Sequence, residues 1–124
     1  VAALAVDLFG RIDTWVNCAA VAVYARFEDT TLDEFRRVMD VNFMGQVHGM
    51  RAALPHLRAA GGGAIVAISS VEGVVSLPLH SAYAASKHAV EGVVDALRRE
   101  LMAEGAPISV TSVKPGTINT PFFT

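Results

Sequence analysis

The chain has a single cysteine, Cys18, in 124 residues, so no disulfide can form within it, which fits a reducing, cytoplasmic compartment. Charge of one sign is also lacking. Ten basic residues stand against twelve acidic ones, for a net charge of −2. That excludes the basic face needed by a nucleic-acid backbone or an anionic membrane surface. No apolar run approaches the ~18 residues of a membrane span. The four histidines, His48, His56, His80 and His88, lack metal-ligand spacing, so no metal site is expected. His48 and His56 are expected to face solvent or to pack. No Gly-x-Ser-x-Gly surrounds any serine, which removes a nucleophile elbow. Gly61-Gly62-Gly63 stands before a strand-like run, so it is a turn and not a phosphate cradle.

What the chain does have is apolar content. Hydrophobic residues make up 52% of it and the mean hydropathy is +0.42, so it folds, as one domain at most. It begins Val1-Ala2-Ala3-Leu4 and finishes Pro121-Phe122-Phe123-Thr124, neither of which resembles a natural polar terminus. We expect an internal piece of a longer protein, in which a leader segment is not readable.

Val1 to Phe9 has the pattern of the last turns of a helix stopped by Gly10. Ile12 to Val16 is a short apolar run and predicts a buried strand. Thr31-Leu32-Asp33-Glu34 is a capping box that opens a long helix. Its apolar stripe is Phe35, Val38, Met39, Phe43, Val47 and Met50, and Pro55 predicts a kink or break near its end. Ala64 to Ile68 predicts a second strand, Ser69 to Ser81 a loop, and about Ala82 to Ala103 a second long helix. Ile108 to Val113 predicts a third strand, ended by Pro115-Gly116. Such alternation means an α/β fold with a parallel sheet whose strands are buried on both faces. Ligands collect beyond the carboxyl ends of such strands, here Asn17 to Ala20, Ser69-Ser70 and Lys114 to Thr120.

Polar residues on apolar stripes are the informative ones. At 100° per residue, Lys87, Val90, Val94, Leu97 and Leu101 fall within about 40° of Tyr83. Lys87 is therefore a snorkelling lysine, or an ammonium placed to favour the ionised phenol and make Tyr83 an acid or base. Asn42 follows Val38 and Met39 on the other stripe, and Gln46 shares its face. It is a solvated or backbone-bonding asparagine, or a functional one. Ser69 and Ser70 close the second strand as turn formers or as site residues.

Together these residues carry a resemblance. Ser70, Tyr83 thirteen residues on, and Lys87 four further resemble the Ser…Tyr-x-x-x-Lys signature of the short-chain dehydrogenase/reductase family. Asp40-Val41-Asn42 is similar to the segment carrying that family's catalytic asparagine. Asn17-Cys18-Ala19-Ala20 stands in the position of its Asn-Asn-Ala-Gly motif, and Lys114 to Thr120 resembles its Pro-Gly cofactor segment.

The resemblance implies a partial Rossmann-like, doubly wound parallel sheet. Residues 1–124 would be the central and C-terminal part of one NAD(P)-binding domain, without its Gly-rich N-terminal part and its C-terminal substrate loop. It implies hydride transfer between NAD or NADP and an alcohol or ketone. Tyr83 would be the acid/base. Lys87 would lower the Tyr83 pKa and bond the nicotinamide ribose, and Ser70 would polarise the carbonyl. Asn42 would hold a water leading from Lys87 to solvent. Asn17, Ala19, Ala20, Pro115, Gly116, Ile118 and Thr120 would lie against the cofactor, Asn17 as a brace.

Cys18 and Ala20 depart from the family pattern, and the Cβ of Ala20 could shift the loop. No Gly-x-x-x-Gly-x-Gly loop is present. The alternatives are an inactive fragment or interaction module, or an epimerase or dehydratase of the same family. A homodimer or homotetramer through the two long helices is implied. Gly45-x-x-x-Gly49 would serve either that contact or a close helix–sheet contact within one chain. Val74, Val75, Leu77 and Leu79 suggest an apolar pocket wall.

Overall fold

In the computed structural model, which describes residues 1–118, three parallel strands lie in the order β1-β2-β3 with helices between them. Helix α1 (Ala2–Phe9) ends at Gly10, whose left-handed φ of 80° lets its N–H reach the Val6 carbonyl. Strand β1 is Thr14–Asn17, two residues further on than expected at its start. Thr31 caps α2 (Leu32–Met39) with both halves of the capping box made. The helical run then passes through a π-helical turn, Asp40–Met44, into α3 (Gly45–Ala59).

The expected break at Pro55 is not found. Pro55 lies exposed within α3, where water can serve the carbonyl it leaves without a partner. The ladder departs from α geometry at Asn42 instead. After the triple-glycine turn come β2 (Gly63–Ile68), a 3-10 turn (Val71–Gly73), α4 (Ser81–Ala103) and β3 (Ile108–Val113).

Strand β2 is the centre, paired in register with β1 from Thr14↔Ala64 to Asn17↔Ala67 and with β3 from Gly63↔Ile108 to Ile68↔Val113. Its Ile65 and Ala67 join Ala53 and Leu57 of α3 and Val90, Val94 and Leu101 of α4 in the core. Burial on both faces does not hold within the described residues. The side chains between those core positions look away from the helices, so Val16 is 54% exposed and Val113 41%. Among the described residues β1 pairs on one side only and is an edge strand.

The parallel register brings all three strand ends to one rim. No described helix is long and apolar enough to cross a membrane. Among the described residues no group of His, Cys, Asp and Glu could hold a metal ion.

Candidate active site

A cavity of about 270 Å³ opens at that rim, lined by residues from all three strand ends and from the start of α4. Ser70 leaves β2 in extended backbone and caps the 3-10 turn, its Oγ accepting from the Glu72 N–H at 3.1 Å. The same hydroxyl is a hydrogen-bond partner of the Tyr83 phenol. Tyr83 sits on the first turn of α4 and Lys87 one turn later, both on the cavity wall.

Lys87 is 1% exposed, and a buried ammonium needs partners. Its Nζ donates to the Ile68 carbonyl at 2.9 Å and lies 5.5 Å from the centroid of the Tyr83 ring. Burial lowers its pKa, while Cys18 and Glu91 act to raise it. The Tyr83 phenol has a pKa raised overall from its ordinary value. Burial pushes the phenol up, the Ser70 bond pulls it down, and Glu72 and Tyr24 push it further up.

Asn42 is fully buried and clamps the loop after β1. Its Nδ2 donates to the Val21 carbonyl at 2.8 Å and to Ser86 Oγ at 3.1 Å, and its Oδ1 accepts from the Val21 N–H at 2.8 Å. Both amide hydrogens are thereby committed.

Asn17 is bonded on both sides of its amide. Its Oδ1 accepts from Trp15 Nε1 at 2.9 Å and its Nδ2 donates to the Gln46 carbonyl at 3.1 Å, tying β1 to α3. Gln46 in turn donates to the Ile68 carbonyl at 3.1 Å, the acceptor that Lys87 uses. A Cβ on Gly49 would run into Asn17 Oδ1, so this glycine serves a helix–sheet contact within the chain.

Ala20, Pro115, Gly116 and Ile118 line the cavity, whereas Asn17, Ala19 and Asn42 do not. Thr120 lies outside the described residues. The Pro-Gly segment is held from below. Glu91 accepts from Ser112 Oγ at 2.5 Å and pairs with Lys114 at 2.9 Å, and Val71 N–H reaches the Pro115 carbonyl at 3.2 Å. Burial pushes the Glu91 carboxyl up, but bonds from Lys114, Ser112 and Ser69 outweigh it and hold its pKa low.

Two further cavity residues were not expected from the sequence. Glu72, 7% exposed, lies 2.8 and 3.0 Å from Nδ1 of His80 through its two oxygens. The His80 ring meets Tyr24 edge-on at 4.5 Å. A carboxylate amid Val71, Gly73, Val74 and Val75 was the available signal, but seven loop residues between Glu72 and His80 leave their pairing to the fold.

A family model described as short chain dehydrogenase matches residues 1–124. An uncharacterised oxidoreductase of Bacillus subtilis, YxnA, is 42% identical over 123 residues, covering 98% of this chain and 35% of that protein. Dehydrogenase/reductase SDR family member 7B of Mus musculus is 42% identical over 119 residues, covering 96% of this chain and 36% of that protein. A trans-4-hydroxycyclohexanecarboxylate dehydrogenase of Sinomonas cyclohexanicum is 39% identical over 117 residues, covering 94% and 44%. The crystal structure of a short-chain dehydrogenase from Streptomyces avermitilis superposes with a TM-score of 0.89 at 36% identity, over 98% of this chain and 44% of that one. The chain thus spans between about a third and under half the length of these relatives.

Proposed function

The chain belongs to the short chain dehydrogenase family, and from that premise we propose that its cavity is the proton-transfer site of an oxidoreductase interconverting an alcohol and a ketone. The observation that carries this reading is Lys87, buried to 1% exposure over the Tyr83 ring at a cavity that also holds Ser70. A buried ammonium is costly, and a purely structural position would take an apolar side chain of similar length at lower cost.

The residues present fit a nicotinamide cofactor, NAD or NADP. Lys87 has three donor hydrogens and one carbonyl partner, which leaves donors for a ribose hydroxyl. Ala20, Pro115, Gly116 and Ile118 would form the wall against it, with Thr120 further along the same segment and Asn17 and Ala19 behind. When bound, the cofactor supplies or takes the hydride. Ser70 Oγ would hold the substrate oxygen, and Tyr83 would give that oxygen a proton in reduction or take it in oxidation. Asn42 would keep the Val21 loop against the cavity.

Reading residues 1–124 as the catalytic middle of a longer NAD(P)-binding domain is part of the proposal, and the coverage of the relatives agrees with it. A homodimer or homotetramer is proposed through the outer faces of α3 and α4. There Val47, Met50, Leu54, Val93 and Leu97 line an apolar groove of about 190 Å³.

Tyr83→Phe tests the reading. Turnover of alcohols and ketones by the protein carrying this chain should fall at least about 100-fold, the usual size of a general acid/base contribution. NADH or NADPH binding, followed by cofactor fluorescence, should change little. Activity within a few-fold of the unsubstituted protein would refute the role of Tyr83. Absence of any NADH or NADPH binding would favour the interaction-module alternative.

A further inference from the structure

The cavity that holds Ser70, Tyr83 and Lys87 carries a further polar side chain, His80, which is 16% exposed. Its Nδ1 lies 2.8 and 3.0 Å from the two oxygens of Glu72, a carboxylate that is itself buried. Tyr24 meets the ring edge-on with centroids 4.5 Å apart, and Tyr83 does so at 6.4 Å. The backbone just before the ring is pinned. Leu79 adopts φ 67°, a left-handed conformation that a leucine rarely takes, and its carbonyl accepts from the Ala25 N–H at 3.1 Å. A buried carboxylate holding an imidazole, next to a strained residue, is a costly arrangement that a side chain merely filling the wall does not need.

The second ring nitrogen is uncommitted. A carboxylate facing Nδ1 requires a hydrogen on that nitrogen. Nε2 has no hydrogen-bond partner among the described residues, and it is not one of their sealed, unsatisfied polar atoms. It is therefore open to a ligand in the cavity that His80 lines. Ala22, Val71, Leu77 and Ile118 make much of the remaining wall apolar. A pocket of that kind fixes the orientation of its ligand through its few polar groups. A hydroxyl matches Nε2 in either state of the ring, donating to the bare nitrogen or accepting from the protonated one. A carboxylate is matched only by the protonated ring and meets the Glu72 charge, and an ammonium is matched only by the bare nitrogen.

We propose that His80, oriented by Glu72, is a specificity-determining residue that takes a hydroxyl of the substrate. The substrate class is then a ketone or alcohol that carries a second hydroxyl across an apolar body; this rests on the proton-transfer role given to Tyr83 above. The reacting oxygen lies with Ser70 and Tyr83, and the second hydroxyl lies with His80. The 6.4 Å between the His80 and Tyr83 rings is a span that one small molecule bridges. Contacts at both ends of that molecule select which carbon is presented for reaction.

The test compares 4-hydroxycyclohexanone with 4-methylcyclohexanone, which are close in size and differ in one group, as substrates of the protein carrying this chain with NADH or NADPH. The ratio of kcat/KM should favour the hydroxyl compound by at least about tenfold, because a site that bonds a hydroxyl rejects the analogue lacking it. His80→Asn keeps a side-chain amide near Nδ1 for Glu72 and removes Nε2, and the ratio should fall to about parity. His80→Gln returns a polar atom toward the Nε2 position and should restore part of the preference. Preference for the methyl compound in the unsubstituted protein, or a ratio unmoved in folded His80→Asn protein, overturns the proposal. If neither ketone is turned over, or if His80→Asn does not fold, binding to the unsubstituted protein decides. 4-Hydroxycyclohexanone must then move the His80 Nε2 signal in nitrogen NMR further than 4-methylcyclohexanone does, and an equal or absent shift overturns the proposal. A shift without turnover supports the His80 site and leaves the failure with the proton-transfer reading.

Discussion

Gly45 and Gly49 are one helical turn apart on α3, and alanine at the two positions should move stability in opposite directions. At Gly45 an added Cβ meets only the Asp40 carbonyl, at 3.6 Å, which is ordinary contact. The gain there is the helix preference of alanine over glycine, about 1 kcal/mol. At Gly49 the same gain is available, but the Cβ collides with Asn17 Oδ1 and lies 2.9 Å from Trp15 Nε1. Overpacking of this kind costs about 1–3 kcal/mol. Displacing Asn17 also breaks its bonds with Trp15 and Gln46, each worth about 1 kcal/mol net. Costs of about 4 kcal/mol against a gain of about 1 kcal/mol leave Gly49→Ala destabilised by roughly 3 kcal/mol.

Thermal unfolding followed by circular dichroism should therefore show Tm rising by about 4 °C in Gly45→Ala and falling by roughly 10 °C in Gly49→Ala. A Gly49→Ala protein as stable as Gly45→Ala would refute the helix–sheet assignment. Similar shifts in both variants that grow or shrink with protein concentration would point instead to a contact between copies. Gly49→Ala should also reach the site, because Asn17, Gln46 and the Ile68 carbonyl connect β1 to Lys87.

Two other perturbations bear on the segments around the cavity. Asn42→Ala removes three bonds to Val21 and Ser86 and leaves the Val21 main-chain groups unpaired, at a cost of about 2–4 kcal/mol; hydrogen exchange should accelerate at Val21 before the core strands. Glu91 has a lowered carboxyl pKa, so its contribution to stability is present above the ordinary glutamate range and lost as pH falls through the lowered value. Urea unfolding of Glu91→Gln should show a shallower loss of stability on the acid side than the unsubstituted protein, and an unchanged acid limb would refute the assignment.

Local chemistry made much of this legible. The capping box, the glycine stop after α1 and the bounds of β3 each depend on neighbours in sequence, and each stands where expected. Helical periodicity set Tyr83 and Lys87 on one stripe, and the spacing of Ser70, Tyr83 and Lys87 singled them out through its resemblance to the family signature; the fold brings all three to one rim. Pro55 does not break α3 because a proline on an exposed helix face can be tolerated, whereas the ladder departs from α geometry at the turn whose Asn42 side chain reaches Val21 across the molecule. Asn42 itself was legible as an anomaly, but its partners were not.

The amino-acid order by itself determined the element types, the parallel topology, and which side chains could do proton chemistry. Those follow from hydrophobic period, capping and turn residues, all of which act over a few positions. Only the tertiary structure decided what each polar group is bonded to. Lys87 donates to the Ile68 carbonyl beside the Tyr83 ring, Asn42 is filled by Val21 and Ser86, and Glu72 meets His80 across a loop. Burial removes water as a partner, so each of these groups takes the nearest protein donor or acceptor, and that neighbour is set by packing between elements distant in the chain.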